Sequence, residues 1–213
     1  MELEKQDYIT AGIGALLAVL TIYGWFNLPD QIAIHFNAAG QPDNFTSKTT
    51  GLLLLPAMFL GLYGLFKVLP SIDPLGDNIQ EFKDQYRTII AAVLGFLTYI
   101  QALIVFWNLG YSFSISQALV PGIAALYYIM GIVISEARQN WFIGIRTPWT
   151  LSDEEVWNKT HERCGPLFKA AGLIALLGLA LPEYFIFFTV APAMIVSVYA
   201  TVYSYMEFRR KQD

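Results

Sequence analysis

The chain has few side chains suited to chemistry. Two histidines, His35 and His161, are candidates for metal binding or for proton switching near neutral pH. His35 has no Cys, Glu or second His beside it in sequence, so it reads first as a structural hydrogen-bonding residue and second as a ligand or switch. Cys164 is the one cysteine and cannot form an internal disulfide. Arg146 stands in "NWFIGIRTPW", a charge among aromatics. Such an arginine is either an interfacial anchor stacked on tryptophan or a charge held within the protein by a carboxylate or carbonyls, organising a polar site. Glu136 is the nearest carboxylate before it that could serve as partner. Arg146 opens the densest polar stretch, "GIRTPWTLSDEEVWNKTHERCG" at 144–165, which holds eight charged residues if His161 is protonated.

These residues are embedded in a very apolar chain. Of 213 residues, 55% are hydrophobic and 14% charged, with mean hydropathy +0.47. Soluble domains carry about 25% charge, so the composition is that of a membrane protein. The net charge of −4 shows no basic face, which excludes nucleic acid as a direct ligand. Six stretches reach or approach the roughly 20 apolar residues of a span: 8–26, 49–68, 86–107, 115–135, 166–181 and 184–203. No small-residue cleavage site follows the first, so it reads as a retained span. Twelve of the 13 basic residues fall on one side of this topology, and only Lys48 on the other. The positive-inside bias puts both termini in the cytoplasm, the 27–48 loop outside and the 137–165 loop inside. The fold class is an all-α integral membrane protein with six transmembrane helices.

The loops carry pattern beyond what connectors need. In "PDQIAIHF", Ile32, Ile34 and Phe36 alternate with Gln31, Ala33 and His35, which predicts a short extended segment. "NAAGQPDN" is turn chemistry, with Gly40 free to take positive φ. In the second loop Asn78 and Glu81 resemble a capping box, and the apolar spacing from Ile79 predicts that the third span begins as an amphipathic helix. "NLGYSFS" reads as a plain turn. In the inner loop Pro148 makes Thr147 extended. Ser152 and Glu155 then form a capping box that opens a short amphipathic cytoplasmic helix between spans four and five. Val156, Trp157, Thr160, His161 and Cys164 form its buried stripe, Asp153 lies outside it, and Gly165-Pro166 ends it.

Both loops resemble known sequences. "LPDQIAIHFNAAGQPDNFTSK" is similar to a small membrane domain of unknown function, and "NWFIGIRTPWTLSDEEVWNKTHERCG" resembles the signature of the SdpI family, bacterial membrane proteins known for immunity to a secreted peptide toxin. The resemblance covers nearly the whole chain. It implies a single membrane domain over 1–213: a two-span unit, 1–68, carrying the outer loop 27–48, then a four-span part, 69–213, carrying the inner loop 137–165. It implies a non-enzymatic immunity protein without cofactor or metal, whose partners are the lipid bilayer, a peptide toxin outside and a small cytoplasmic transcriptional repressor. The outer residues expected to meet the toxin are His35, Asn37, Gly40, Pro42, Asp43 and Lys48. The matching inner residues are Gly144, Arg146, Thr147, Pro148, Trp149, Trp157, Thr160, His161 and Gly165. Two other readings compete. A small transporter or channel would line a path with Arg146, yet the spans hold almost no ionisable residues. A metal-dependent membrane enzyme would have to join two histidines that the topology puts on opposite faces.

Overall fold

A computed structural model of the chain describes residues 5–37 and 40–212. Six helices or helix pairs are long and apolar enough to cross a membrane. They are α1 (Lys5–Asn27), α2 (Lys48–Ile72), α4 (Lys83–Asn108), α5 (Ile115–Glu136), α7 (Glu154–Ala175) continued by α8 (Leu177–Ala180), and α9 (Phe185–Arg210), which follows a 3-10 turn. Short helices α3 (Gly76–Glu81) and α6 (Pro148–Ser152) and the strands β1 (Gln31–Phe36) and β2 (Pro42–Ser47) complete the order. All six expected spans are present. Large apolar residues such as Leu16, Phe26, Leu60, Phe187 and Ile195 face outward, as lipid-facing surfaces require.

Three local expectations are corrected. Gly165-Pro166 does not end a helix: α7 runs through both, so the amphipathic segment is the start of span five. Proline normally disrupts a helix interior. Here the backbone is held by packing, because Gly165 lies so close to α5 that a Cβ would sit 1.9 Å from Ser135 Oγ and 2.9 Å from the Gly131 carbonyl oxygen. The capping box at Asn78 is absent, since the Asn78 amide donates instead to the Gln139 carbonyl and the chain breaks at Phe82 between α3 and α4. The 27–48 loop has a second strand, β2, which its polar composition hides.

Helices α5 and α7 form the most extensive contact, with α9 against α7, α1 against α4, and α4 against α5. Inside this bundle Gln101 of α4 is fully buried. Its amide donates to the Leu52 carbonyl and the Thr21 hydroxyl, tying α4 to α2 and α1. Polar links of this kind hold membrane helices together where apolar burial gives no preference over lipid.

Candidate functional site

At one end of the bundle β1 and β2 form an antiparallel hairpin. Bulges on both sides of His35 leave Ile34 and Asp43 without cross-strand partners, and such bulges re-aim neighbouring side chains. The His35 ring nitrogen Nδ1 lies 2.5 Å from Asp43 Oδ1, with both side chains solvent-facing. Gly40 turns the chain at φ +73°. The Gly40 amide donates to the Asn37 carbonyl, and the Asn37 side-chain oxygen accepts from the Gln41 amide. Pro42 opens β2. Lys48 donates to the Leu28 carbonyl at 3.1 Å and lies 3.7 Å from Asp30. The hairpin is fastened to α4 by Asn108, whose side-chain oxygen accepts from the Ala33 amide at 2.8 Å and whose amide donates to the Ala33 carbonyl at 2.9 Å. The side chain thus substitutes for a third strand at one residue. Ala33 is buried along with Ile32, so the expected strict alternation does not hold.

At the other end the loop between α5 and α7 folds around Asn140, which is fully buried. Its amide donates to the Arg138 and Ile143 carbonyls, and its oxygen accepts from the Phe142 and Ile143 amides. Asp73 fixes the loop from α2, with one carboxylate oxygen accepting from the Leu75 amide and the other from the Trp141 amide. Gln139 donates to the Thr150 and Leu151 carbonyls. The stripe read from the sequence is buried throughout: Val156, Trp157, Thr160, His161 and Cys164. Trp157 donates its indole proton to the Ala137 carbonyl at 2.7 Å and stacks on the His161 ring at a centroid distance of 4.0 Å. The Ile145 amide can only donate, so His161 Nε2 accepts from it at 2.9 Å, and Nδ1 carries the proton given to the Trp157 carbonyl. Both ring nitrogens are therefore engaged by backbone, and neither is open to a metal. Gly144, at φ +126°, passes directly over this pair of rings.

Thr147 caps α6, exchanges hydrogen bonds with Thr150 and reaches the Ser204 hydroxyl of α9 at 3.0 Å. Pro148 is the first residue of α6, and Trp149 packs on Tyr205 of α9. Asp153, not Ser152, caps α7, its carboxylate accepting from the Val156 amide. An extended Asp153 separates the two helices and also pairs with Lys211 at 2.7 Å. Asp153 is therefore a structural residue. The Lys211 ammonium, with help from the Val156 amide, holds its carboxyl below the usual value, and Asp153 in turn raises Lys211. The cluster continues through Glu155, Lys159, buried Glu207 and Arg210, all within 3.5 Å links.

Arg146 answers neither reading fully. Its guanidinium is solvent-exposed and donates to the Trp141 carbonyl at 2.8 Å, and no carboxylate among the described residues pairs with it, Glu136 included. Arg146→Lys and Arg146→Ala are accordingly expected to lower thermal stability by under about 1 kcal/mol, the scale of one exposed hydrogen bond. A loss of about 3 kcal/mol in a denaturation scan, as for a broken buried pair, would sink this assignment. His35 and His161 do not meet, since the hairpin touches the start of α5 while His161 packs beyond its end. Gly165 belongs to the α5–α7 contact and not to the loop.

The sequence reading passed over Asn108, Asn140, Thr150 and Ser204. For Asn108 the available signal is a polar residue isolated in an apolar and aromatic run, "FWNLG".

Residues 136–204 match the SdpI/YfhL protein family, and residues 12–60 match a domain of unknown function, DUF1648. The first match begins at the end of α5 and reaches far into α9, taking in the whole inner loop, and the second takes in the hairpin. The chain is 26% identical over 207 residues to the Immunity protein SdpI of Bacillus subtilis (strain 168), a likeness covering 97% of each chain. No solved structure matches it. With its six apolar helices, the chain is a multi-pass protein of the cell membrane. It joins a segment that matches DUF1648 and bears the hairpin to a segment that matches the SdpI/YfhL family and bears the buried Trp157–His161 loop.

Proposed function

We propose that the chain is a non-enzymatic membrane immunity protein that protects its cell from a secreted antimicrobial peptide. The hairpin end faces outward and meets the toxin, and the opposite end faces the cytoplasm and recruits a small repressor. The observation that carries this is the likeness to an immunity protein over 97% of both chains, with a segment match at each patterned loop. The direct test is survival. A Bacillus subtilis host lacking its own SdpI is given this chain and exposed to conditioned medium that kills the same host without it. We expect protection of at least tenfold in dilution, and none would refute the reading.

Orientation rests on the 12-to-1 split of basic residues. In a Cys164→Ser background, Gln41→Cys should react with an impermeant thiol reagent on intact cells and Asn158→Cys should not, both positions being exposed in the fold. The reverse labelling pattern inverts the scheme.

Glu154, Asn158 and Glu162 form an exposed stripe at four-residue spacing on α7, suited to a basic partner. Glu154→Lys with Glu162→Lys should leave survival unchanged and reduce membrane recruitment of a tagged repressor at least tenfold. Equal recruitment by this variant would remove the stripe from the partner surface.

A further inference from the structure

A cavity of about 520 Å³ lies beneath the hairpin, within the roughly 300–1,000 Å³ of ligand sites. Its walls are apolar: Ile104 of α4, Leu119 of α5, and Phe185 and Ile186 at the start of α9. Ile34, freed from strand pairing by the bulge, adds to them, and His35, Asn37 and Ser116 supply polar groups. The roof is fixed from two directions. Asn108 bonds Ala33 to α4, and the Gly40 turn lies against Ser116, whose hydroxyl would be 3.5 Å from a Cβ there. The roof is thus hydrogen-bonded to α4 and packed against the start of α5.

Two acidic residues stand next to its lining. Asp43 reaches the site through its bond to lining residue His35, and Glu183 lies two residues before lining residue Phe185. The cation on this loop, Lys48, is already engaged by the Leu28 carbonyl and Asp30. An anionic lipid headgroup is repelled by such a rim, whereas a cationic group is drawn to it.

We propose that this cavity is the toxin receptor, taking an apolar, cationic segment of the peptide: its apolar side chains enter between α4, α5 and α9, and a neighbouring Lys or Arg meets Asp43 and Glu183. The proposal rests on the immunity reading, and the test separates the two. The same lethal conditioned medium is the probe. Leu119→Trp fills the cavity, and Asp43→Lys with Glu183→Lys reverses its rim without entering the core. Ala125→Trp, which fills a different groove on α5, is the control. At matched membrane abundance we expect both site variants to lose at least tenfold in protective dilution and the control to lose none. Wild-type protection with undiminished protection in either site variant overturns the cavity proposal while sparing the immunity reading, and leaves the cavity to lipid. Failure of the wild-type chain to protect removes both. Should Leu119→Trp not accumulate, the charge reversal decides alone.

Discussion

Gly165→Leu is expected to abolish accumulation of folded protein, and Gly165→Ala to destabilise it by about 3 kcal/mol, the upper range for overpacking. The reason is distance. A Cβ at 165 would meet Ser135 Oγ at 1.9 Å and the Gly131 carbonyl oxygen at 2.9 Å. The second of these is backbone, so no rotamer change relieves it, and the cost falls on the most extensive helix contact of the bundle. Close approach through glycine is a common way to join membrane helices. Removing the Ser135 hydroxyl relieves the shorter contact only. Gly165→Ala with Ser135→Ala should therefore recover about 1 kcal/mol beyond the sum of the single effects, a coupling normal for touching residues. A loss for the pair equal to the sum of the two single losses, measured in detergent, would show that the clash does not set the cost.

The second large effect is at Gly144. At φ +126° an L side chain is strained, and its Cβ would lie 2.5 Å from His161 Nε2 and 2.9 Å from the Trp157 ring. Alanine there must push away the imidazole that accepts the Ile145 amide. Backbone strain of about 1–3 kcal/mol then adds to about 1–3 kcal/mol for an unmet buried donor. Gly110→Ala is the comparison, because Gly110 has φ +93° but nothing within 4 Å of its Cβ position. It isolates the strain. We expect Gly144→Ala to lose at least twice as much stability as Gly110→Ala and to expose the inner loop to protease. Equal losses would mean that the rings yield freely and the close approach at Gly144 is not what the glycine is for.

The six spans are legible because each must be apolar over its whole length whatever its neighbours. The buried stripe on α7 is legible for a similar reason, since its i, i+4, i+8 spacing is local. Gly40 reads correctly as a turn residue because its backbone, not its partners, sets the requirement. The rest depends on distant contacts. β2 is polar and looks like loop, since both its faces and its outer edge can meet water. Asn108 makes its bonds 75 residues away, and Asp73 reaches Trp141 across 68. Pro166 signals a break that the α5–α7 contact overrides. Arg146 looks like a buried charge because its neighbours in sequence are aromatic, but the loop turns its guanidinium outward.

Helix α9 is a single element whose first residues, Phe185 and Ile186, line the cavity beneath the hairpin and whose last turns carry Ser204, Glu207 and Arg210 into the ion-pair cluster at the opposite end, with Lys211 just beyond. At 26 residues and about 1.5 Å per residue, it is a lever about 39 Å long. A tilt of about 5° around its middle moves each end by about 1.7 Å, which takes the 2.7 Å contact between Lys211 and Asp153 beyond bonding range. The inner ion pairs then behave as a latch. Exposed pairs of this kind are individually weak, so such a latch opens at low cost. Phe185 on one side of the membrane and Asp153, the cap of α7, on the other are therefore joined through one helix.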